Sequence, residues 1–245
     1  MIVRAPDERA LASPLGRLAP VTKLGISLLW LIGLALVVDP RPPVVVAFAA
    51  AASGIAFGGL DPARLARGVA PLLVAAVGVG VFNALFSGSN GDPLARTVLT
   101  LGPLRLTEPA VLAGLSLGLR ILAIATVGVV FALTTDSTAL VDSLVVHARV
   151  PERFAYGALA AYQAVPRLAD DLATLRQARR IRGLRGSWHP RLLVGLLVLA
   201  IRHGDRLALA MDARGFGSGP RTRYREVRVG WLDAVAVVVA VVVLA

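Results

Sequence analysis

The sequence predicts an all-α polytopic membrane protein with about five transmembrane helices and a cytoplasmic helical block between the fourth and the fifth. Three observations lead there. Hydrophobic residues make up 56% of the 245, with a mean hydropathy of +0.73, and they gather in long runs with few charges. The formal net charge is +11, carried by 25 Arg and the single Lys23. Those charges are segregated: residues 134–230 hold 16 of the 26 basic groups and 8 of the 15 acidic ones.

The apolar runs come in order. Residues 24–38 (LGISLLWLIGLALVV) stop at Asp39-Pro40-Arg41-Pro42-Pro43, and 44–60 resume with VVVAFAAAASGIAFGGL. A tight proline-rich turn between two membrane helices fits this pattern. Both helices are short against the ~20 residues a bilayer core asks for. A third run covers 68–87, a Gly/Pro/Asn/Asp-containing loop follows over 88–110, and a fourth run covers 109–133 with one internal charge, Arg120. A fifth, 231–245, carries Asp233 near its start. The chain thus divides into 1–133 (an N-terminal segment and four spans), 134–230 (the basic block) and 231–245 (the last span). Residues 1–23 are mixed polar with prolines and lack an apolar h-region, so no cleavable signal peptide is expected.

Basic residues favour the cytoplasmic side of a membrane. Residues 1–23 carry four basic groups and 60–68 carry Arg64 and Arg67, whereas 39–43 carry one and 88–110 two. The N-terminus and the 134–230 block are therefore expected inside, in a multi-pass protein of the inner (plasma) membrane. Much of the positive charge is then topology signal and contact with anionic lipid of the bilayer; no nucleic-acid partner is expected.

Within the block one phrase occurs twice. ARRIRGL (178–184) and AMDARGF (210–216) lie 32 residues apart. Asp171, Leu175, Ala178 and Arg182 share one helix face; His203, Leu207, Ala210 and Arg214 do the same. Each face ends in an Arg followed by Gly183 or Gly215. Glycine past the last turn is a common helix stop, and a terminal Arg complements the helix dipole. One copy means little; two in matching positions call for a function. The run 192–201 (LLVGLLVLAI) is too short to span and is expected to pack on membrane helices or lie at the interface.

Chemistry of its own is not expected. A P-loop needs Lys after Gly, and the only Lys lies in APVTKL. With no Cys there are no disulfides, no thiolate catalysis and no Cys-ligated metal. His147, His189 and His203 are scattered without ligand spacing. Gly114-Leu115-Ser116-Leu117-Gly118 matches G-x-S-x-G, but a nucleophile elbow needs a strand–turn–helix and a nearby His. Here the Ser lies in an apolar run and every His in the basic block. Those glycines, like Gly54 and Gly58, read better as small-residue packing faces. No catalytic residue, cofactor site or metal site is assigned. Arg120 stands apart, because a mid-membrane charge costs at least ~2.5 kcal/mol on insertion scales and must face protein or water. It is either a tether between helices or a group that moves during function.

Taken together, these features resemble the transmembrane coupling (T) component of energy-coupling factor (ECF) importers, the EcfT/CbiQ/BioN-like family. RLAPVTKL at 17–24 is similar to the family's R-L-D-P-R-T-K-L, with Ala19 and Val21 departing from it. LGLRILAIA, TTDSTALVDSL (134–144), VPERF (150–154), Pro166 and Asp171 continue the resemblance, while Tyr162-Gln163 departs from a basic-aromatic pair. The family's two A-x-x-A-R-G motifs correspond to Ala178–Gly183 and Ala210–Gly215; the first has Ile181 before its Arg. A register in which Ala178-Arg179-Arg180 is the motif stays open, though the spacing from the proline and the acidic residue favours Arg182. The resemblance covers about residues 13–245 and is strongest over 116–217.

It implies a non-catalytic subunit of a vitamin or transition-metal (cobalt or nickel) importer. Its partners would be two ECF ABC ATPase subunits, which hydrolyse the ATP, and a membrane-embedded substrate-binding S component. The site residues implied are Ile181, Arg182, Gly183, Ala213, Arg214 and Gly215, with Arg179, Arg180 and Arg120 as secondary candidates. The alternative is a membrane scaffold or assembly protein whose basic block binds protein or lipid.

Overall fold

The computed structural model describes residues 11–37, 39–92, 94–101, 104–184, 189–217, 219 and 229–244. The chain forms two compact units, residues 1–140 with 227–245 and residues 141–226. Nine α-helices are described: α1 Pro14–Arg17, α2 Pro20–Leu36, α3 Arg41–Ala56, α4 Pro62–Phe86, α5 Glu108–Thr134, α6 Ser137–His147, α7 Glu152–Ile181, α8 Pro190–Ala213 and α9 Trp231–Leu244.

Prolines set many of the starts. Six helices, α1 to α5 and α8, carry Pro in the first two positions, where its missing N–H is no loss. Side-chain caps add to this at Ser13, Asp61 and His189, each accepting an N–H that the first turn leaves free.

In the first unit α4 and α5 are long and apolar enough to cross a membrane; α2, α3 and α9 are apolar helices of 17, 16 and 14 residues. Trp30 and Leu34 of α2, Val46 and Ala50 of α3, Ala123 and Val127 of α5 and Ala240 of α9 form one buried cluster. The Trp30 indole N–H, otherwise unsatisfied in such a core, donates to the Ala240 carbonyl at 2.9 Å. Outward, large apolar side chains such as Phe48 and Val74 are left exposed. An apolar surface this extensive suits a lipid solvent.

The α4–α5 pair is the tightest contact. A Cβ at Gly114 would stand 2.4 Å from the Gly80 carbonyl oxygen and 2.8 Å from the Ala84 Cβ; one at Gly118 would stand 3.1 Å from the Ala76 oxygen. The small residues thus bring two backbones together, as expected for this pair. Gly54 likewise packs α3 against Val130 of α5. Gly58 differs from expectation: it lies beyond α3 and donates its N–H to Ser53, a turn role. Gly114→Val is predicted to cost about 3 kcal/mol, the upper end for overpacking, because backbone cannot swing aside. Gly128→Val, at a position open within 4 Å, should unfold near the wild-type temperature in the same detergent melt. Equal melting of the two variants would contradict this packing.

One expectation is corrected. The stretch 88–110, read as loop, contains an antiparallel hairpin, β1 Thr97–Leu101 and β2 Leu104–Thr107, so the chain is mostly but not wholly helical. Its β-branched and apolar residues (TVLTL, LRLT) suit strands; the surrounding turn residues masked that signal. Asn90 ties the segment down. Its Nδ2 donates to the Ala84 and Leu85 carbonyls at the end of α4, and its Oδ1 accepts the Thr107 N–H at the start of α5. Pro166 lies inside the 30-residue α7; flanking turns carry the helix past the N–H it lacks.

Candidate functional site

The second unit is built on α7 and α8. Leu175 packs against Gly195, and Arg167 reaches the His203 ring at 3.3 Å. From the first contact to the second the chain moves back along α7 and forward along α8, so the helices run antiparallel. Phe216, just past α8, meets Tyr156 in the first turns of α7 with ring centroids 6.4 Å apart. The C-terminus of α8 therefore lies by the start of α7, and the two C-termini point to opposite ends of the pair. From Tyr156 to Arg182 the helix rises by roughly 40 Å at ~1.5 Å per residue.

Both C-termini close in the same way. Arg182 caps α7 at φ −77°, ψ 8°, and Arg214 caps α8 at φ −92°, ψ 10°. Gly183 and Gly215 follow at φ +72° and +66°, the left-handed region that an L side chain resists. The Gly183 N–H bonds Arg180 and the Leu184 N–H bonds Arg179; the Gly215 N–H bonds Asp212 and the Phe216 N–H bonds Met211. These are two Schellman closures, equivalent residue by residue. The repeated phrase is thus a repeated helix ending that presents an arginine at its cap.

Ile181, Arg182, Gly183, Ala213 and Arg214 are exposed and Gly215 is half-buried. Neither the Arg182 nor the Arg214 guanidinium has a partner among the described residues. Arg180 is exposed two residues earlier, and Arg179 is half-buried with its Nε enclosed. Arg182, not Arg179 or Arg180, is the structural counterpart of Arg214. Residues 141–226 carry 15 basic and 7 acidic groups, a net +8 of the chain's +11. A fixed guanidinium in such a field offers two-pronged, directional bonding to a carboxylate. Among the described residues no group of three His, Cys, Asp or Glu is placed to hold a metal ion.

Arg120 belongs to the first unit. It lies midway along α5, its Nη2 donates to the Val37 carbonyl at the C-terminal cap of α2, and its Nε is enclosed without a partner. A cation at a helix C-terminus satisfies a carbonyl the helix leaves open. The contact is that of a tether. Arg120→Ala should lower thermal stability by about 1–2 kcal/mol, the loss of a charge-assisted bond partly offset by freeing an unpaired Nε. Activity per folded molecule should hold; normal stability with abolished activity would assign Arg120 to the working cycle.

Several structural residues carried little signal. Lys23 is buried and donates to the Thr134 carbonyl at 2.8 Å. Asp233 is buried at the start of α9, bonding the Ala19 and Gly230 N–H groups. Arg153 donates to the Gly217 carbonyl at 3.2 Å, and the Tyr156 hydroxyl donates to Asp142 at 2.8 Å. Their one sequence signal is that Lys23, Arg153 and Asp142 fall in stretches with family resemblance.

Comparison with known proteins agrees. Residues 12–224 match the CbiQ family, described as cobalt transport protein. A Heliobacterium modesticaldum protein named energy-coupling factor transporter transmembrane protein EcfT is 29% identical over 254 residues, 94% of this chain and 90% of that protein. A Listeria innocua protein of the same name is 31% identical over 156 residues, 56% of this chain and 58% of the relative. A Bifidobacterium longum protein, provisionally named an ABC transporter ATP-binding protein, is 29% identical over 211 residues, 78% of this chain. The chain spans 26% of that relative's length. The chain belongs to the CbiQ cobalt transport protein family, as a transmembrane T component of the EcfT/CbiQ type.

Proposed function

We propose that this chain is the coupling subunit of an ECF-type ABC importer. Five spans anchor it with the N-terminus inside, and the 134–230 block is cytoplasmic. Arg182 and Arg214 each dock on one of two ATPase subunits, so that ATP-driven movement of the ATPases reaches a membrane-embedded S component that binds a vitamin or a transition-metal ion. The observation that carries this reading is the pair of equivalently capped arginine tips at opposite ends of one helix pair. Two tips ~40 Å apart can engage two bodies at once. The Bifidobacterium relative lends support, since a stretch similar to this chain makes up about a quarter of a protein named as ATP-binding.

The test is affinity purification of the full chain from its native membrane, followed by mass spectrometry. Two ABC ATPase chains, or two copies of one, and a small apolar membrane protein are the expected companions; a complex without an ATPase would end the reading. Orientation is checked in this cysteine-free chain with Leu94→Cys, between the third and fourth spans, and Thr174→Cys, in α7. Both positions are exposed. A membrane-impermeant maleimide should reach Leu94→Cys from outside and Thr174→Cys only after permeabilisation. Labelling of both from one side would contradict the topology.

A further inference from the structure

The two arginine tips share a closure but not their surroundings. At the second, Phe216 and Met211, the apolar pair of the Schellman closure, line one cleft with Tyr156 and Leu159 of α7. Phe216 meets the Tyr156 ring edge-on, with planes 80° apart, and the Tyr156 hydroxyl is held by Asp142 of α6 at 2.8 Å. One residue further on, Arg153 donates from Nη2 to the Gly217 carbonyl. Gly217 is at φ +79°, and a Cβ there would stand 2.6 Å from the Arg153 Nε. The positive φ favours glycine there, and a side chain would have to push the Arg153 guanidinium aside. At the first tip the corresponding positions are Arg179 and Leu184, and Leu184 is 50% exposed. The counterpart of Gly217 there, Arg185, lies outside the described residues.

The turn leading into α7 fits this arrangement. Arg149 is the one described non-glycine residue at positive φ, 54°, with Val150 bonding back to the Leu144 carbonyl. Such a turn fixes the direction in which α7 leaves α6, and with it where Arg153 and Tyr156 stand relative to Asp142. Arg153 of VPERF and Asp142 of TTDSTALVDSL thereby have a role.

We infer that Arg153, Tyr156 and Asp142 are positioning residues that hold the Arg214 tip in one orientation. Arg214 is then a preset contact. A preset group loses less freedom on docking, so the same guanidinium binds more tightly when braced. This inference rests on the proposed function for what the tip docks onto, but not for the brace itself.

Two experiments separate those layers. The first needs no partner. A spin label on Ala213→Cys, in the purified full chain, should be immobile in the wild type and mobile in Arg153→Ala, Gly217→Ala and Tyr156→Phe. A label on Ile181→Cys should give the same spectrum in all four backgrounds. Unchanged mobility at 213, or equal loosening at both tips, overturns the inference, the second because it reports general unfolding. The second experiment measures retention of the co-purifying ATPases. Arg153→Ala should weaken it roughly tenfold, the size expected for one charge-assisted hydrogen bond. On an Arg214→Ala background it should add nothing, because its effect runs through Arg214. Equal losses on both backgrounds would make Arg153 an independent structural residue and overturn the inference. If Arg214→Ala itself left retention intact while Arg153→Ala freed the label, the brace would stand and the docking role would fall.

Discussion

Substituting both Arg182 and Arg214 by alanine is expected to release the ATPase subunits, or to leave them hydrolysing ATP without uptake, while the chain still inserts and folds. The expected size depends on what the guanidinium meets. Removing one partner of a buried charge pair costs about 3–5 kcal/mol, because the other charge is left uncompensated. An exposed pair costs under ~1 kcal/mol. A tip seated in a groove on another protein belongs to the first class, so losing two tips should take binding down by several orders of magnitude. Insertion and folding should survive, since both side chains are exposed and neither guanidinium has a partner among the described residues. The closures themselves depend on Gly183 and Gly215 and on backbone bonds, which alanine at the cap keeps. Single substitutions should be milder while the other tip holds. Arg179→Ala should do less than Arg182→Ala, because only Arg182 occupies the cap position that Arg214 occupies. Full ATPase binding and full uptake in the double variant would end the coupling assignment; a larger effect from Arg179→Ala would shift the motif's register.

The paired helix endings were legible in the sequence because glycine after an apolar-periodic stretch signals a left-handed helix end, and the signal came twice. The apolar runs were legible for an equally plain reason. Lipid-facing helices need no alternation of polar and apolar faces, so their extent can be read directly: 109–133 against Glu108–Thr134, and 68–87 against Pro62–Phe86. The hairpin at 97–107 was not legible, because nine strand residues amid Gly, Pro, Asn and Asp look like loop until Asn90 is seen bonding to both α4 and α5. The brace at the second tip was invisible for a deeper reason. Arg153 and Gly217 are 64 residues apart, and nothing in either local sequence announces the other. The same holds for Arg120, whose charge was conspicuous but whose acceptor, the Val37 carbonyl 83 residues away, has no side-chain signature.

The junction of Lys23 and Asp233 is where the chain's stability should be most sensitive to a single atom group. Asp233 lies at the start of α9 and is 4% exposed; its Oδ1 accepts the Ala19 N–H at 2.9 Å and its Oδ2 the Gly230 N–H at 2.8 Å. One carboxylate thereby fastens the segment leading into α2 to the segment leading into α9, 214 residues later. Beside it Lys23, 7% exposed, donates to the last carbonyl of α5 and feels the Asp233 charge. Asp233→Ala would strand the buried Ala19 N–H, open the Gly230 bond and remove the negative charge that Lys23 feels, a loss of about 1–3 kcal/mol for the unsatisfied buried donor alone. Asp233→Asn keeps one acceptor oxygen and should fall between. Lys23→Met removes the ammonium but leaves the carboxylate buried, so it too should be costly alone. The decisive variant combines Lys23→Met with Asp233→Asn. With both charges gone, neither is left uncompensated, so the pair should melt above the sum of the two single losses in detergent. Additive losses would mean that the two groups act separately, each through its own backbone bonds. A wild-type melting temperature for Asp233→Ala would mean that the apolar cluster of Trp30, Leu34 and Ala240 holds the chain's two ends together without the carboxylate.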